Sequence, residues 1–407
     1  MTATLTNWAG NVRFHARDVR EPRTIDELRG VVAGGLRVRV MGSRHSFSDI
    51  ADTDGVLVSL RGLARPDEVT VSPDGSTVRV PAGIRYGDLV PPLEHAGLAL
   101  RNLASLPHIS VAGAVQTGTH GSGDRVGSLA TQVAGIELLA ASGDVVSVRR
   151  GDADFAGHVV GLGALGVVTH LELDVEPAYD VAQTVYEGVT WDAAFEGLDA
   201  LTSAGDSVSL FTTWTDPDRI DQVWVKDRAG RAPGDLVRFG GTPADGPRHP
   251  LPGVDPTPCT AQGGEPGRWF DRLPHFRLAF TPSSGEELQS EYLVPRADAV
   301  DAIGAVRALA AEIARLGAEV PGRVLHSIFL GGGTPSLMAP RTVAAVIAAA
   351  RSAWDFANDI EITLEANPTS VEHARFAAYA EAGVNRLSLG VQALNHAGTL
   401  VLIKITA

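Results

Sequence analysis

Gly42-Ser43-Arg44-His45-Ser46-Phe47 places one imidazole in a glycine-led turn directly after the apolar run Val38-Arg39-Val40-Met41. A neutral imidazole is a competent nucleophile, and a glycine turn lets a ligand come close to the backbone. An isolated histidine of this kind is usually an ordinary turn residue, so His45 needs support from elsewhere. That support lies in Asn102-Leu103-Ala104-Ser105-Leu106-Pro107-His108-Ile109-Ser110-Val111-Ala112-Gly113, which runs into Gly118-Thr119-His120-Gly121-Ser122-Gly123. Three glycines interleaved with hydroxyls and His120 can turn successive backbone N–H groups toward a pyrophosphate. The plainer reading of the same residues is a tight turn, and of Ser105 a turn former.

One further glycine pattern misleads. Gly161-Leu162-Gly163-Ala164-Leu165-Gly166 has the spacing of a dinucleotide fingerprint, but such a fingerprint follows a strand and opens a helix. Here the glycines run into the strand-like Val167-Val168-Thr169-His170-Leu171-Glu172-Leu173, so they are read as a close-approach loop.

The elements that must position these residues are legible in order. Thr24-Ile25-Asp26-Glu27 is a capping box that opens a helix ending near Gly34-Gly35, and the strand Val38 to Met41 then delivers the His45 turn. Two hairpins are predicted. In one, Val69 to Ser72 pairs with Thr77 to Val80; in the other, Val133 to Leu139 pairs with Val145 to Val148. A short helix spans Tyr86 to Ala96, and Leu165 to Val175 forms a last strand. From about Tyr179 the pattern shifts to strands with aromatics, Ser207 to Trp214 and Asp221 to Lys226, followed by a long Gly/Pro-rich loop over Gly240 to Gly267.

A chain of 407 residues is long enough for two or three cores. With 44% hydrophobic and 20% charged residues it has the composition of a globular protein. The net charge of −14 opposes binding to nucleic acid or an anionic membrane, and neither partner is expected. The start, Met1 to Trp8, lacks a basic region followed by an apolar run, and one cysteine, Cys259, permits no internal disulfide; both lead to the expectation of a cytoplasmic location.

The His45 turn and the Ser105 to Gly123 segment together resemble the vanillyl-alcohol-oxidase-type (PCMH-type) flavoproteins, and among them the alditol oxidases, over roughly residues 5 to 310. The resemblance implies an α+β FAD-binding fold of two subdomains over residues 1–178 and a truncated α+β substrate domain over 179–308. FAD is the implied cofactor, bonded covalently through His45. Implied cofactor contacts are Gly42, Ser43, Arg44, Ser46, Ser110, Gly113, Thr117, Gly118, His120, Gly121, Ser122, Gly166 and Val167, with Ser105 touching the substrate. A polyol donor and O₂ as acceptor follow; a sugar-lactone oxidase is the neighbouring alternative. The family's Glu-x-Arg pair and C-terminal lysine would lie beyond Arg296, where no counterpart is found, which leaves open an FAD-binding chain that does not turn over.

Residues 309–407 read differently. Leu325 to Leu330 with Gly331-Gly332-Gly333-Thr334-Pro335, then Ile360 to Thr369 and Gly383 to Gln392, resemble the radical-SAM coproporphyrinogen-oxidase-like proteins. The expected order is a βαβαβ fragment: Leu325 to Leu330, Thr342 to Trp354, Glu361 to Glu365, Val371 to Ala382, Arg386 to Leu389. Gly331 to Gly333 and Glu365 would be S-adenosylmethionine contacts, but the family's cluster needs three thiolates and the chain has only Cys259, so this chemistry and any zinc site that needs several thiolates are excluded, and no metal is expected. The chain therefore reads as a fusion of two unlike parts.

Overall fold

The structure is a computed structural model. It describes residues 5–216, 218–230, 236–279, 293–331, 340–366 and 378–389. The chain divides into two compact units, Met1–Phe211 with Asp218–Gln289, and Thr212–Pro217 with Ser290–Ala407.

In the first unit, β1 (Asp18–Arg20), β2 (Val38–Met41) and β3 (Val56–Ser59) form a parallel sheet in the order β1-β3-β2. The helix α1 (Ile25–Ala33) starts where the capping box predicts: Glu27 N–H donates to Thr24 Oγ1 at 3.1 Å. The Glu27 carboxylate reaches back to the Arg23 N–H at 2.7 Å, one residue before the N-cap. Every residue of β3 is buried, as expected of the middle strand of a covered parallel sheet.

A five-stranded antiparallel sheet follows, built from β4 (Thr70–Val71), β5 (Thr77–Pro81), β7 (Val133–Leu139), β8 (Val145–Arg149) and β9 (Val167–Asp174) in the order β4-β5-β9-β7-β8. Both predicted hairpins form, and β9 lies in the middle, pairing with β5 and β7. Between these strands lie α2 (Tyr86–His95), β6 (Leu98–Ala99), α3 (Val111–Gln116) and α4 (Phe155–Val159). Val80, Leu89, Leu93, Val115, Leu139 and Leu171 from these elements are fully buried in one continuous core.

The remaining strands of the unit are β10 (Glu176–Pro177), β11 (Asp180–Glu187), β12 (Ser207–Phe211), β13 (Gln222–Arg228), β14 (Thr242–Pro243) and β15 (Gly267–Arg268), with α5 (Trp191–Glu196) and α6 (Leu198–Thr202) between β11 and β12. β10 pairs with β6, and the others make a further antiparallel sheet, β12-β13-β11-β14, with β15 also on β11. The strand expected to run to Trp214 stops at Phe211, and Trp214 takes φ +61°, outside the extended region. The predicted Gly240 to Gly267 loop is irregular apart from these two residue-pair strands.

The second unit contains α7 (Ala299–Glu319), β16 (Val324–Leu330), α8 (Pro340–Ala353), β17 (Asp355–Ala366) and β18 (Arg386–Leu389). The three strands are parallel in the order β16-β17-β18, and Val343, Ile347, Ile362, Leu364, Tyr379 and Leu387 form their core. The Asn385 amide accepts from Ile362 N–H at 2.8 Å and donates to Ile360 O at 2.7 Å, which fixes the approach to β18. Most of the expected Val371 to Ala382 helix, and Gly332 and Gly333, lie outside the described residues. Among the described residues no helix is long and apolar enough to cross a membrane.

Candidate active site

The strand β2 ends at Met41, and the chain turns through Arg44 at φ +65°. The turn is tied to the preceding N-terminal segment: Trp8 N–H donates to Arg44 O at 2.8 Å, Arg44 Nη1 to Thr6 O at 3.0 Å, and Asn7 Nδ2 to Ser46 O at 3.0 Å. Arg44 is therefore engaged with the backbone of its own fold. The Trp8 ring lies 5.1 Å from the His45 ring, tilted by 31°. Burial, then His108, then Arg44 lower the His45 pKa to about 4, so its imidazole is neutral at pH 7, the state a nucleophile requires.

Against this turn packs the start of α3. Ser110 N–H donates to Ser43 Oγ at 3.3 Å, while among the described residues Ser110 Oγ is buried without a partner. A Cβ on Gly42 would lie 2.7 Å from that oxygen, and one on Gly113 2.5 Å from it. Two glycines thus flank one orphaned hydroxyl, and a buried hydroxyl without a partner is costly unless a ligand supplies it. These residues fit a cofactor rich in hydrogen-bonding atoms.

The loop from Gly161 to Gly166 closes on the other end of α3. Leu162 N–H donates to Gln116 O and Gly163 N–H to Gln116 Oε1, both at 3.3 Å, and Arg39 Nη1 of β2 reaches Leu162 O at 3.2 Å. The loop then enters β9, so it does not open a helix. At Gly166, φ is +153° and a Cβ would sit 2.6 Å from Leu139 O, which leaves room only for glycine. The Val167 side chain is buried in the core, so only its backbone can face a ligand.

The Gly118 to Gly123 loop is less free than its sequence suggests. Gly118 N–H and Thr119 N–H donate to Val115 O and Ala114 O, and the Thr117 hydroxyl donates to Gly113 O at 2.9 Å. Ser122 Oγ lies 2.6 Å from Ser207 Oγ and accepts from Ser209 Oγ at 2.9 Å, which commits it to β12. His120 Nδ1 bonds Gly121 O. A Cβ on Gly121 would meet the Asn102 amide at 2.6 Å, so that glycine is required for packing. The hydroxyls of Thr117 and Ser122 thus each have a partner within the fold.

Ser105 is the surprise. Its Oγ lies 2.9 Å from His275 Nδ1, and its carbonyl accepts from Phe276 N–H at 3.3 Å. Three residues on, His108 Nε2–H donates to Leu278 O at 3.0 Å. Behind His275, Lys226 of β13 is 1% exposed and its Nζ donates to Leu273 O at 2.6 Å and Pro274 O at 3.1 Å. Neither His275 nor Lys226 was expected from the sequence. One signal existed: in Gln222-Val223-Trp224-Val225-Lys226 the lysine falls in phase with Trp224, on the inward face.

Burial brings the Lys226 pKa down to about 7. A neutral amine has two N–H groups, which matches its two carbonyl acceptors. Because the folded pKa lies below the ordinary 10.5, the unfolded chain binds more protons between those values, and stability contributed here rises with pH across that window. Denaturant unfolding at several pH values between about 7 and 10 checks this: the unaltered chain should gain on Lys226→Met by up to about 1.4 kcal/mol per pH unit. A constant difference between the two proteins contradicts the assignment.

A neutral histidine thus lies beside a glycine-lined cradle, on an α+β scaffold in which the Gly161 to Gly166 loop leads into a strand. A family profile described as an FAD binding domain matches residues 17–149, and one described as the Radical SAM superfamily matches 304–406. An alditol oxidase from a Streptomyces species is 49% identical over 311 residues, 75% of this chain and 73% of its own length. An L-gulono-1,4-lactone dehydrogenase from Mycobacterium tuberculosis is 37% identical over 183 residues, 44% of this chain and 42% of its own. A cholesterol oxidase structure from Brevibacterium sterolicum is 17% identical with a TM-score of 0.49, covering 56% of this chain and 48% of its own. The chain belongs to the alditol oxidase family of vanillyl-alcohol-oxidase-type flavoproteins, and its cofactor is FAD. The segment that matches the Radical SAM superfamily contains no cysteine.

Proposed function

We propose that this chain oxidises a terminal carbinol of an alditol with O₂ as acceptor, releasing hydrogen peroxide. Bound FAD supplies the acceptor for the hydride and the route to O₂. The protein's part is division of labour along one segment. Ser110 and Gly113 line the cofactor with Gly42, Ser43 and His45, while Ser105 holds the substrate hydroxyl. The observation that carries this reading is that residues 105–113 bond the His45 turn at one end and His275 at the other. His45, neutral at working pH, is the proposed point of covalent attachment. The proposed contacts also include Arg44, Ser46, Thr117, Gly118, His120, Gly121, Ser122 and the backbone of Gly166 and Val167.

The same reading assigns FAD binding to residues 1–178, substrate binding to 179–308 and a radical-SAM-like fragment, of coproporphyrinogen-oxidase-like type, to 309–407. It places the enzyme in the cytoplasm. A second reading, an FAD-binding chain without turnover, has one observation in its favour: residues 304–406 match a superfamily other than that of the oxidases. Peroxide release measured with xylitol, sorbitol and L-gulono-1,4-lactone separates the cases. Turnover with the alditols supports the oxidase, preference for the lactone supports the neighbouring activity, and no peroxide with any of them supports the silent chain.

A further inference from the structure

His275 lies 170 residues from Ser105 in sequence, yet the two segments are joined twice, by the 2.9 Å side-chain bond and by Phe276 N–H to Ser105 O. The ring is clamped from behind. Phe211 meets it edge-on at 5.6 Å and Trp224 lies 5.4 Å away, while Lys226 holds the two preceding carbonyls. Among the described residues its Nε2 is buried without a partner. Such a geometry leaves the ring little freedom to turn.

We propose that His275 is a positioning residue that fixes the Ser105 hydroxyl as a donor to the substrate oxygen; this rests on the reading of the chain as an alditol oxidase. The tautomer follows from the surroundings. A buried N–H without an acceptor is rarer than a buried lone pair without a donor, so the proton belongs on Nδ1 and the bare lone pair on Nε2. Burial and the neighbouring Lys226 keep the ring neutral by lowering its pKa well below the ordinary value. Nδ1–H then donates to Ser105 Oγ, and the serine's own proton must point elsewhere, toward the partly exposed side of Ser105. A fixed donor aimed at a carbinol oxygen stabilises the negative charge that develops there as its proton leaves.

Two measurements on the FAD-loaded protein test this. Ring ¹⁵N chemical shifts should show His275 neutral with Nδ1 protonated at pH 7, and Ser105→Ala should move the Nδ1 resonance. A proton on Nε2, or shifts indifferent to Ser105→Ala, overturns the proposal whether or not any polyol is oxidised. In anaerobic mixing with xylitol, His275→Leu should slow the limiting rate of flavin reduction about tenfold to a hundredfold with substrate affinity little changed. His275→Asn, whose amide offers a donor where Nδ1 stood, should recover most of that loss. Added to Ser105→Ala, His275→Leu should cost nothing further. Full additivity of the two substitutions, or an unaltered rate in a His275→Leu protein that keeps its flavin spectrum, overturns the proposal. Absence of reduction in the unaltered protein counts instead against the oxidase reading, and the ¹⁵N result still decides the role of His275.

Discussion

Acid precipitation of a His45→Ala variant is expected to release all of its flavin into the supernatant, whereas the unaltered chain keeps its flavin on the polypeptide. The expectation follows from the state of the ring. An imidazole joins a carbon centre only through a nitrogen lone pair, and His45 has that lone pair free of a proton down to about pH 4. Attachment during reconstitution with FAD should therefore proceed equally between about pH 6 and 8 and weaken toward pH 4. The stability linked to His45 has the same sign: its folded pKa lies below 6.5, so that contribution is lost as pH falls through 6.5 toward 4. Trp8, its ring tilted against the imidazole 5.1 Å away, should hold the ring in place, since it is itself bonded to the turn through Arg44 O. Extractable flavin from the unaltered protein contradicts the covalent assignment and leaves the cradle of Gly42, Ser110 and Gly113 standing.

A Gly83→Val substitution should produce a large loss of stability. Gly83 sits between β5 and α2, flanked by Ala82 and Ile84, both buried. A Cβ there would lie 2.2 Å from Leu60 O and 2.7 Å from Leu60 C, and these are backbone atoms that no rotamer change can move aside. Relief requires shifting the end of β3 against the core, at a cost of about 3 kcal/mol or more. For a unit of this size the melting temperature should fall by roughly 6–12 °C. Gly30→Ala is the internal comparison: it lies inside α1, has nothing among the described residues within 4 Å of the added carbon, and should stabilise by about 0.5–1 kcal/mol. Thermal unfolding followed by flavin fluorescence measures both. Equal melting temperatures for the two variants contradict the packing described around Leu60.

What the sequence makes legible is local. The Thr24 and Glu27 cap, the hairpin of Val69 to Ser72 with Thr77 to Val80 and the short helix that starts at Tyr86 are each decided within a few residues, and the structure has them where the residues place them. The Gly161 to Gly166 loop is correctly distinguished from a dinucleotide fingerprint because the strand after it is visible in the sequence. Pro91 and Pro92 inside α2 did not break the helix, and α2 still ends at His95, before Gly97. The parts that escape are joined over distance. No local pattern links Ser105 to His275, or tells that the Ser122 hydroxyl is taken up by Ser207 and Ser209 on a strand 85 residues away. The order of the first sheet, with β3 between β1 and β2, is likewise set by burial of the Val56 to Ser59 run among elements that the sequence lists only in series.

The central claim is that this chain passes electrons from a polyol to its flavin. It is tested most directly by mixing the purified, FAD-loaded protein with excess xylitol in the absence of oxygen and recording the visible spectrum. The account predicts that the oxidised flavin bands bleach and that admitting O₂ restores them with formation of hydrogen peroxide. A flavin spectrum that persists unbleached, while dithionite reduces it fully, contradicts the claim and identifies an FAD-binding chain without turnover.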